Sequence, residues 1–376
     1  MREMCVQFRR ALLASFVLAM LPAASATVAR AQTDDLEKAK ALIDEHLGAP
    51  KFVEPGKAFD AKACMAGKKI LVIPVTSANP FAQDIVNAMQ AAAKEVGFKL
   101  DEWNNQGKPE QWVQGVEAGL NQKYDMIDLM GGTDPALLAP QIKEARAAGV
   151  KVVVTHYYDY SLTPPVPLDN SVQVDYQLVG RMIADWIAIK SNKKANVLII
   201  GSDEIVATPP YVKALRDELA LQCGAGCKSS YINAPIPEWS SKIQPSVQAA
   251  LNADPTINYI VPIYDSMTQF VFPALKITGR AGSVKIATFN GTPFIIDAIQ
   301  KGDAEMDVGE SVGWVGRGFV DADMRTLCNL DPVHHLLVPY HIFDADNAKE
   351  AGSPAQYDTG YGDVHVTGFR KLWGLQ

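Results

Sequence analysis

The chain has 376 residues, with 35 Lys and Arg against 42 Asp and Glu and a formal charge of −7. An acidic chain without basic runs does not suit a polyanion, which excludes nucleic acid and anionic lipid as partners. Its length exceeds one ordinary core, so two lobes are expected.

At the N-terminus Arg9 and Arg10 precede the apolar stretch "ALLASFVLAMLPAASATVA", and the small-residue pattern Ala29-Arg30-Ala31 follows. That order of charged, apolar and small residues is that of a secretory signal peptide over residues 1–31. Cleavage is expected after Ala31, with Ala26 as the alternative. Pro22 interrupts the run and no stop-transfer charge cluster follows, which argues against a retained anchor. No other stretch is long and apolar enough to span a bilayer. Cleavage leaves 345 residues and removes four arginines and one glutamate, taking the charge from −7 to −10. Cys5 precedes the apolar run and is not placed to carry a lipid. The other cysteines are Cys64, Cys223, Cys227 and Cys328, an even number that favours disulfides in an oxidising compartment. Cys223 and Cys227, in "CGAGC", would close a small loop, and elimination then pairs Cys64 with Cys328. No histidine stands at zinc-ligand spacing from either pair.

Residues 32–67 form an extension in which "DDLEKAKALIDEHL" reads as a surface helix. From Lys69 the pattern is regular. "KILVIPV" predicts a strand, and residues 81–96 an amphipathic helix ended by Gly97. "FKLDEW", a helix over 109–121, "YDMIDLM", a helix over 135–148 and "VKVVVTH" continue the alternation. After the loop "YYDYSLTPPVPLDN" and the short "SVQVD" it restarts. Helices over 176–190, 209–222, 239–252, 265–278 and 292–301 separate "ANVLIIG", "KSSYINA", "INYIVPI", "SVKIATF" and "AEMDVGES". Short apolar runs between helices of this length imply parallel strands buried on both faces. Two such series predict an α/β protein of two doubly wound parallel-sheet lobes.

Ligands of such sheets sit beyond the carboxyl ends of the strands. The residues there are Asn79 and Phe81, His156, Tyr157 and Tyr158, Asp175 and Tyr176, Tyr211, Trp239, Tyr264 and Asp265, Asn290, and Glu310 followed by Trp314. Asn79, Asp175 and Asp265 would serve equally as helix caps, and a single Trp or Tyr near a loop is more often rim packing than recognition. Together they have the composition of a cleft that stacks on an apolar ring face and hydrogen-bonds a polar edge. No Arg or Lys stands at these ends and no glycine-rich phosphate loop follows a strand; Gly131-Gly132 in "MGGTDP" is a turn. A neutral polyhydroxylated ligand, or a cationic one, therefore suits Asp265 and Glu310 better than an anion. Ser77 and Ser202 lie in no nucleophile elbow, so neither enzyme chemistry nor a cofactor is expected. His334, His335 and His341 lie in "DPVHHLLVPYH" without a carboxylate at metal-helix spacing, so no metal is expected.

The segments "SANPFAQDIVNAMQAAAKEVGF" (77–98), "GVKVVVTHYY" (149–158), "VDYQLVGRMIADWI" (174–187), "IYDSMTQFVFPALKITG" (263–279) and "IATFNGTP" (286–293) occur in an order and spacing that resemble a known family. It is that of the periplasmic solute-binding proteins of sugar importers, of the ribose-binding type, and the likeness covers about residues 68–328. The resemblance implies a type I periplasmic binding protein whose two lobes, joined by a three-strand hinge, close on a ligand. It implies a first lobe of residues 68–174 plus about 311–338, and a second of 175–310 plus about 339–376. It further implies a monomer in the periplasm with a sugar or polyol as ligand and the permease subunits of an ABC importer as partners. Asn79 would donate to a ligand hydroxyl and Phe81 would stack on its ring. His156-Tyr157 stands where the family usually has Asp-Arg, and Tyr211 where a second arginine stands. Trp239 replaces a stacking Phe, Tyr264 an Asn before the shared Asp265, Asn290 an Asp, and Glu310 a Gln near the hinge. These departures make the pocket less charged and more aromatic, which favours a polyol, modified sugar or polar aromatic compound over ribose. A sensory receptor of the same fold is the competing expectation. A transcriptional regulator would need a basic DNA-reading helix pair where this chain has a signal peptide and an acidic helix.

Overall fold

The computed structural model describes residues 22–375. The predicted signal peptide lies outside that range except for residues 22–31. Those form the first part of helix α1 (Pro22–Leu47).

The first lobe is built on β1 (Lys69–Pro74), β2 (Lys99–Glu102), β3 (Met126–Met130), β4 (Lys151–Asp159) and β5 (Asn170–Val174). Its strand order is β2-β1-β3-β4-β5, and every pairing is parallel. Helices α3 (Pro80–Val96), α4 (Pro109–Asn121) and α5 (Ala139–Ala147) make the crossovers, after the short α2 (Ala61–Met65) of the extension. The sequence explains α3 turn by turn. Asn79 caps it, Pro80 fits its first position, and Gly97 ends it at φ 101. Between these limits Ala82, Ile85, Val86, Met89, Ala92, Ala93 and Val96 make one buried stripe. All five residues of β3 are buried, as a central parallel strand requires.

The second lobe repeats the plan. Strands β6 (Ala195–Gly201), β7 (Cys227–Asn233), β8 (Tyr259–Pro262), β9 (Lys285–Asn290), β10 (Met306–Gly309) and β11 (His341–Phe343) lie in the order β11-β10-β9-β8-β6-β7. Only β11 runs antiparallel, against β10. The helices are α6 (Tyr176–Lys190), α7 (Thr208–Cys223), α8 (Trp239–Ala253), α9 (Asp265–Ile277) and α10 (Pro293–Lys301). Gly180 lets α6 approach α7 closely, since a Cβ there would stand 2.7 Å from the Tyr211 carbonyl oxygen.

The chain passes between lobes after β5, after β10 into α11 (Val312–Leu327), and along residues 335–340 into β11. Gln173 pairs with His335, which places the last passage beside the first. Helix α11 packs on α3, where a Cβ at Gly316 would meet that of Ala88 at 2.7 Å.

Three local features differ from the sequence reading. The extension is not a free surface helix: Ala39 and Ile43 of α1 are buried, and α1 packs on α6, α7 and β11 of the second lobe. The chain then crosses to the first lobe, where Arg325 of α11 donates to the Lys57 carbonyl at 3.0 Å and lies over the Phe59 ring. Residues 364–375, expected in the second lobe with the rest of 339–376, return to the first as α12 (Val364–Leu372) and the turn after it. The fully buried Trp373 indole needs an acceptor, and Asp321 of α11 supplies one at 2.8 Å. Finally, β4 runs on to Asp159 through a register shift, so Tyr157 and Tyr158 are buried strand residues rather than loop residues. Cys64 and Cys328 meet with Cα atoms 6.0 Å apart, and Cys223 and Cys227 at 5.4 Å.

Candidate functional site

The register shift in β4 creates the centre of the site. His156 sits within it at φ 54, a left-handed conformation unfavourable for a residue with a Cβ. The turn carries the imidazole out of the strand's alternation toward the point where the two lobes meet. There Nε2 lies 3.0 Å from Glu310 Oε1, and Nδ1 lies 3.3 Å from the Tyr176 hydroxyl. A carboxylate only accepts, so Nε2 donates to Glu310, while the Tyr176 hydroxyl stands between Nδ1 and the His156 carbonyl, the latter at 3.4 Å. Glu310 follows β10 at the crossing into α11, and Tyr176 opens α6, so one first-lobe side chain bonds to the hinge and to the second lobe. Asn290, at the end of β9, donates from Nδ2 to the same Glu310 oxygen at 3.3 Å. His156, Asn290 and Glu310 are all buried.

Aromatic rings surround this polar group. Phe81 meets His156 edge-on at 5.7 Å, Phe319 of α11 at 5.9 Å and Tyr176 at 6.1 Å. Burial, reinforced by the charge of Glu310, raises the Tyr176, Tyr264 and Tyr340 hydroxyls above the usual phenol value, so all three are neutral donors. Tyr157 packs edge-on against Tyr158 at 4.9 Å, and its hydroxyl is raised chiefly by burial, then by the charges of Asp134, Tyr158 and Tyr264. Among the described residues no Lys or Arg bonds to Glu310; its hydrogen-bond partners are His156 and Asn290.

The structure therefore brings Phe81, His156, Asn290 and Glu310 together, with Tyr264 near Glu310 and Tyr157 packed on Tyr158 in the first-lobe core. The other predicted residues have local duties. Asn79 accepts from the Ala82 amide at 3.3 Å through Oδ1, which leaves its two amide hydrogens for another partner. Asp175 caps α6 by accepting from the Leu178 amide at 2.8 Å. Trp239 is half-buried at the start of α8, donating to Ser202 Oγ and to the Ala234 carbonyl at 2.9 Å each. Tyr211 is completely buried against Phe289, and its hydroxyl has no partner. Asp265 points into its own lobe, toward Thr292. Trp314, noted after Glu310, stacks on His365 at 4.8 Å within the first lobe. Of the histidines weighed for metal, His334 bonds to Asn170, His335 stacks on Tyr160, and His341 bonds to the Gly48 carbonyl.

Sequence reasoning missed Phe319 and Asp307. Phe319 lies in the middle of a helix and gave no signal. Asp307 did give one: it is a carboxylate inside the otherwise apolar strand "MDVG".

The sequence profile described as "periplasmic binding protein domain" matches residues 70–327. A comparison with curated protein sequences gives no match. Among solved structures, an Agrobacterium vitis ABC transporter solute-binding protein with bound allitol superposes with a TM-score of 0.65 at 20% identity, covering 77% of this chain and 99% of that one. A Thermotoga lettingae 5-methylthioribose transporter solute-binding protein gives 0.66 at 20%, covering 84% and 100%. The Caulobacter myo-inositol-binding protein gives 0.65 at 18%, covering 77% and 97%. Two parallel-sheet lobes with adjacent crossings between them and a profile match over most of the length agree on one conclusion: this chain belongs to the periplasmic binding protein domain family.

Proposed function

We propose that the protein is the exported solute-binding component of an ABC importer and carries a small neutral polyhydroxylated compound between its lobes. The observation that carries this reading is the His156–Glu310–Asn290 group with its aromatic surround, at the carboxyl ends of both sheets. Hydroxyls suit its carboxylate, amide and imidazole, and an apolar ring face suits Phe81 and Trp239. With no Lys or Arg bonded to Glu310, a phosphate or carboxylate would meet that negative charge uncompensated. The relatives whose ligands are polyols or sugar derivatives support the same class.

The mechanism is conformational. Ligand groups bonding to residues of both lobes favour the closed form over the open one, and the permease subunits recognise the closed form. No bond is made or broken. In this reading residues 1–31 are removed on export, both cysteine pairs are oxidised in the periplasm, and the protein acts as a monomer. Cleavage after Ala31 trims α1 and leaves Ala39 and Ile43 to anchor it.

The test is a thermal-shift screen with allitol, tagatose, myo-inositol, 5-methylthioribose, amines, small aromatic alcohols and small organic acids. A compound at 100 times its Kd stabilises the folded state by about 2.7 kcal/mol, a clear rise in melting temperature. A rise with one of the polyols or sugars, confirmed by calorimetry, is expected. Shifts with organic acids alone would overturn the proposal. Mass spectrometry of the secreted protein reads the cleavage site, and non-reducing peptide mapping reads the cysteine pairs.

A further inference from the structure

Behind Glu310, inside the second lobe, two carboxyl groups meet. Asp265 opens α9 and Asp307 lies in β10; both are fully buried and their carboxyls are in hydrogen-bonding contact. Asp265 Oδ2 accepts from the Thr292 amide at 2.8 Å and from the Thr292 hydroxyl at 2.6 Å. Asp265 Oδ1 and both oxygens of Asp307 have no protein donor; the Gly291 amide approaches Asp307 without completing a bond. The titratable groups that face the pair are the Glu310 carboxylate and the hydroxyls of Tyr211, Tyr357 and Tyr361, with His341 of β11 beyond Tyr361. Among the described residues no Lys or Arg hydrogen-bonds or forms an ion pair with either carboxyl.

Two carboxylates in contact in a buried site without a cation cannot both be ionised. One proton removes the repulsion and turns one oxygen into a donor for its neighbour. We propose that Asp265 and Asp307 share a single proton at neutral pH and act as a positioning pair for the loop Asn290–Thr292, which brings Asn290 to Glu310. Burial supports this by raising both carboxyls above their ordinary value, Asp307 further because it also faces Asp265.

The loop needs such a fastening. Asn290 has φ 139 and Gly291 φ 74, and a Cβ at Gly291 would stand 2.1 Å from the Tyr361 hydroxyl. A backbone in these regions persists only where its surroundings hold it, and the two bonds from Thr292 to Asp265 do so. When pH strips the shared proton, repulsion separates the carboxyls and releases Thr292.

The inference rests on the reading of Asn290 and Glu310 as ligand-site residues, so its test uses the ligand-free protein. The readouts are infrared difference spectra and hydrogen exchange of the Gly291 and Thr292 amides, corrected for intrinsic rates. Asp307→Asn supplies an amide N–H in place of the shared proton. It is expected to lose one protonated-carboxyl band and to keep its loop protection as the pH rises to about 9. Over the same range the wild type should lose protection about tenfold. Asp265→Asn, which places the donor on the other partner, should also lose one band and serves if Asp307→Asn does not fold. Unchanged carboxyl bands, or a wild-type protection profile matching that of Asp307→Asn, would overturn the proposal. A ligand screen that fails leaves this result standing, and the converse also holds.

Discussion

At the scale of single residues, the site is held by one strained backbone and a few rings. His156 adopts a left-handed φ that costs an L-residue about 1–2 kcal/mol. The two polar contacts of its ring, to Glu310 and Tyr176, offset that cost. Replacing it separates the two effects. His156→Gly and His156→Ala lose the same contacts, but glycine accepts the backbone, so the Gly variant should be the more stable by about 1 kcal/mol in urea denaturation. Equal stabilities would mean that the turn carries no strain. Phe81 and Trp239 make the second residue-scale prediction. An aromatic contact is worth about 0.5–1.5 kcal/mol beyond its burial, so Phe81→Ala or Trp239→Ala should weaken binding of the compound found in the screen roughly tenfold. Both lie at the surface end of a helix, so the unfolding midpoint should move little. Calorimetry with undiminished affinity in both variants would remove the stacking role.

At the scale of elements, the docking of α11 on the first sheet contains an acid pair of its own. Asp128 of β3 accepts from the Thr155 hydroxyl at 2.8 and 3.0 Å, while neither oxygen of Asp323 on α11 has a partner. Burial raises Asp128 to about 7 and Asp323 well above its ordinary value, the latter also through the charge of Asp128. A carboxyl raised in the folded state holds a proton that the unfolded chain gives up above about 3.9. The folded state thus binds more protons across that window, and stability falls as pH rises from about 4 through 7. Asp323→Asn cannot titrate, so it should flatten this decline. Denaturation midpoints measured from acid to mildly alkaline pH test it, and an unchanged slope would show that Asp323 does not hold its proton through burial.

On the scale of the whole molecule, the extension joins both lobes. α1 lies on the second lobe, the following segment crosses to Arg325, and α2 carries Cys64, bonded to Cys328. The pair closes a loop of 264 residues that encloses β1 to β10. Cross-linking so long a loop restricts the unfolded chain by roughly 5–6 kcal/mol on the chain-entropy account. With the bond formed, replacing both cysteines by serine should lower stability by several kcal/mol, read by denaturation under non-reducing conditions. The same substitution should do nothing measurable in the presence of reductant.

The sequence by itself determined the alternation of strands and helices, because apolar runs of parallel strands and amphipathic stripes such as Ala82–Val96 are local patterns. It also pointed to the ends of the strands as the place of the proposed site, since parallel crossovers leave their loops there. Local signals such as Asn79 before Pro80 and Gly97 fixed both ends of α3. The pairing of distant groups is a different matter. His156 meets Glu310 across 154 residues because a register shift, absent from any local pattern, turns its backbone. Tyr211 and Asp265, equivalent to Tyr264 and Asn290 as letters near a strand end, turn inward because β9, β10 and Thr292 surround them. The return of α12 to the first lobe likewise followed from a partner, Asp321, that Trp373 finds 52 residues away. Secondary structure is governed by neighbours in the chain, whereas side-chain direction and shared protons are governed by neighbours in space, and those exist only once both sheets have formed.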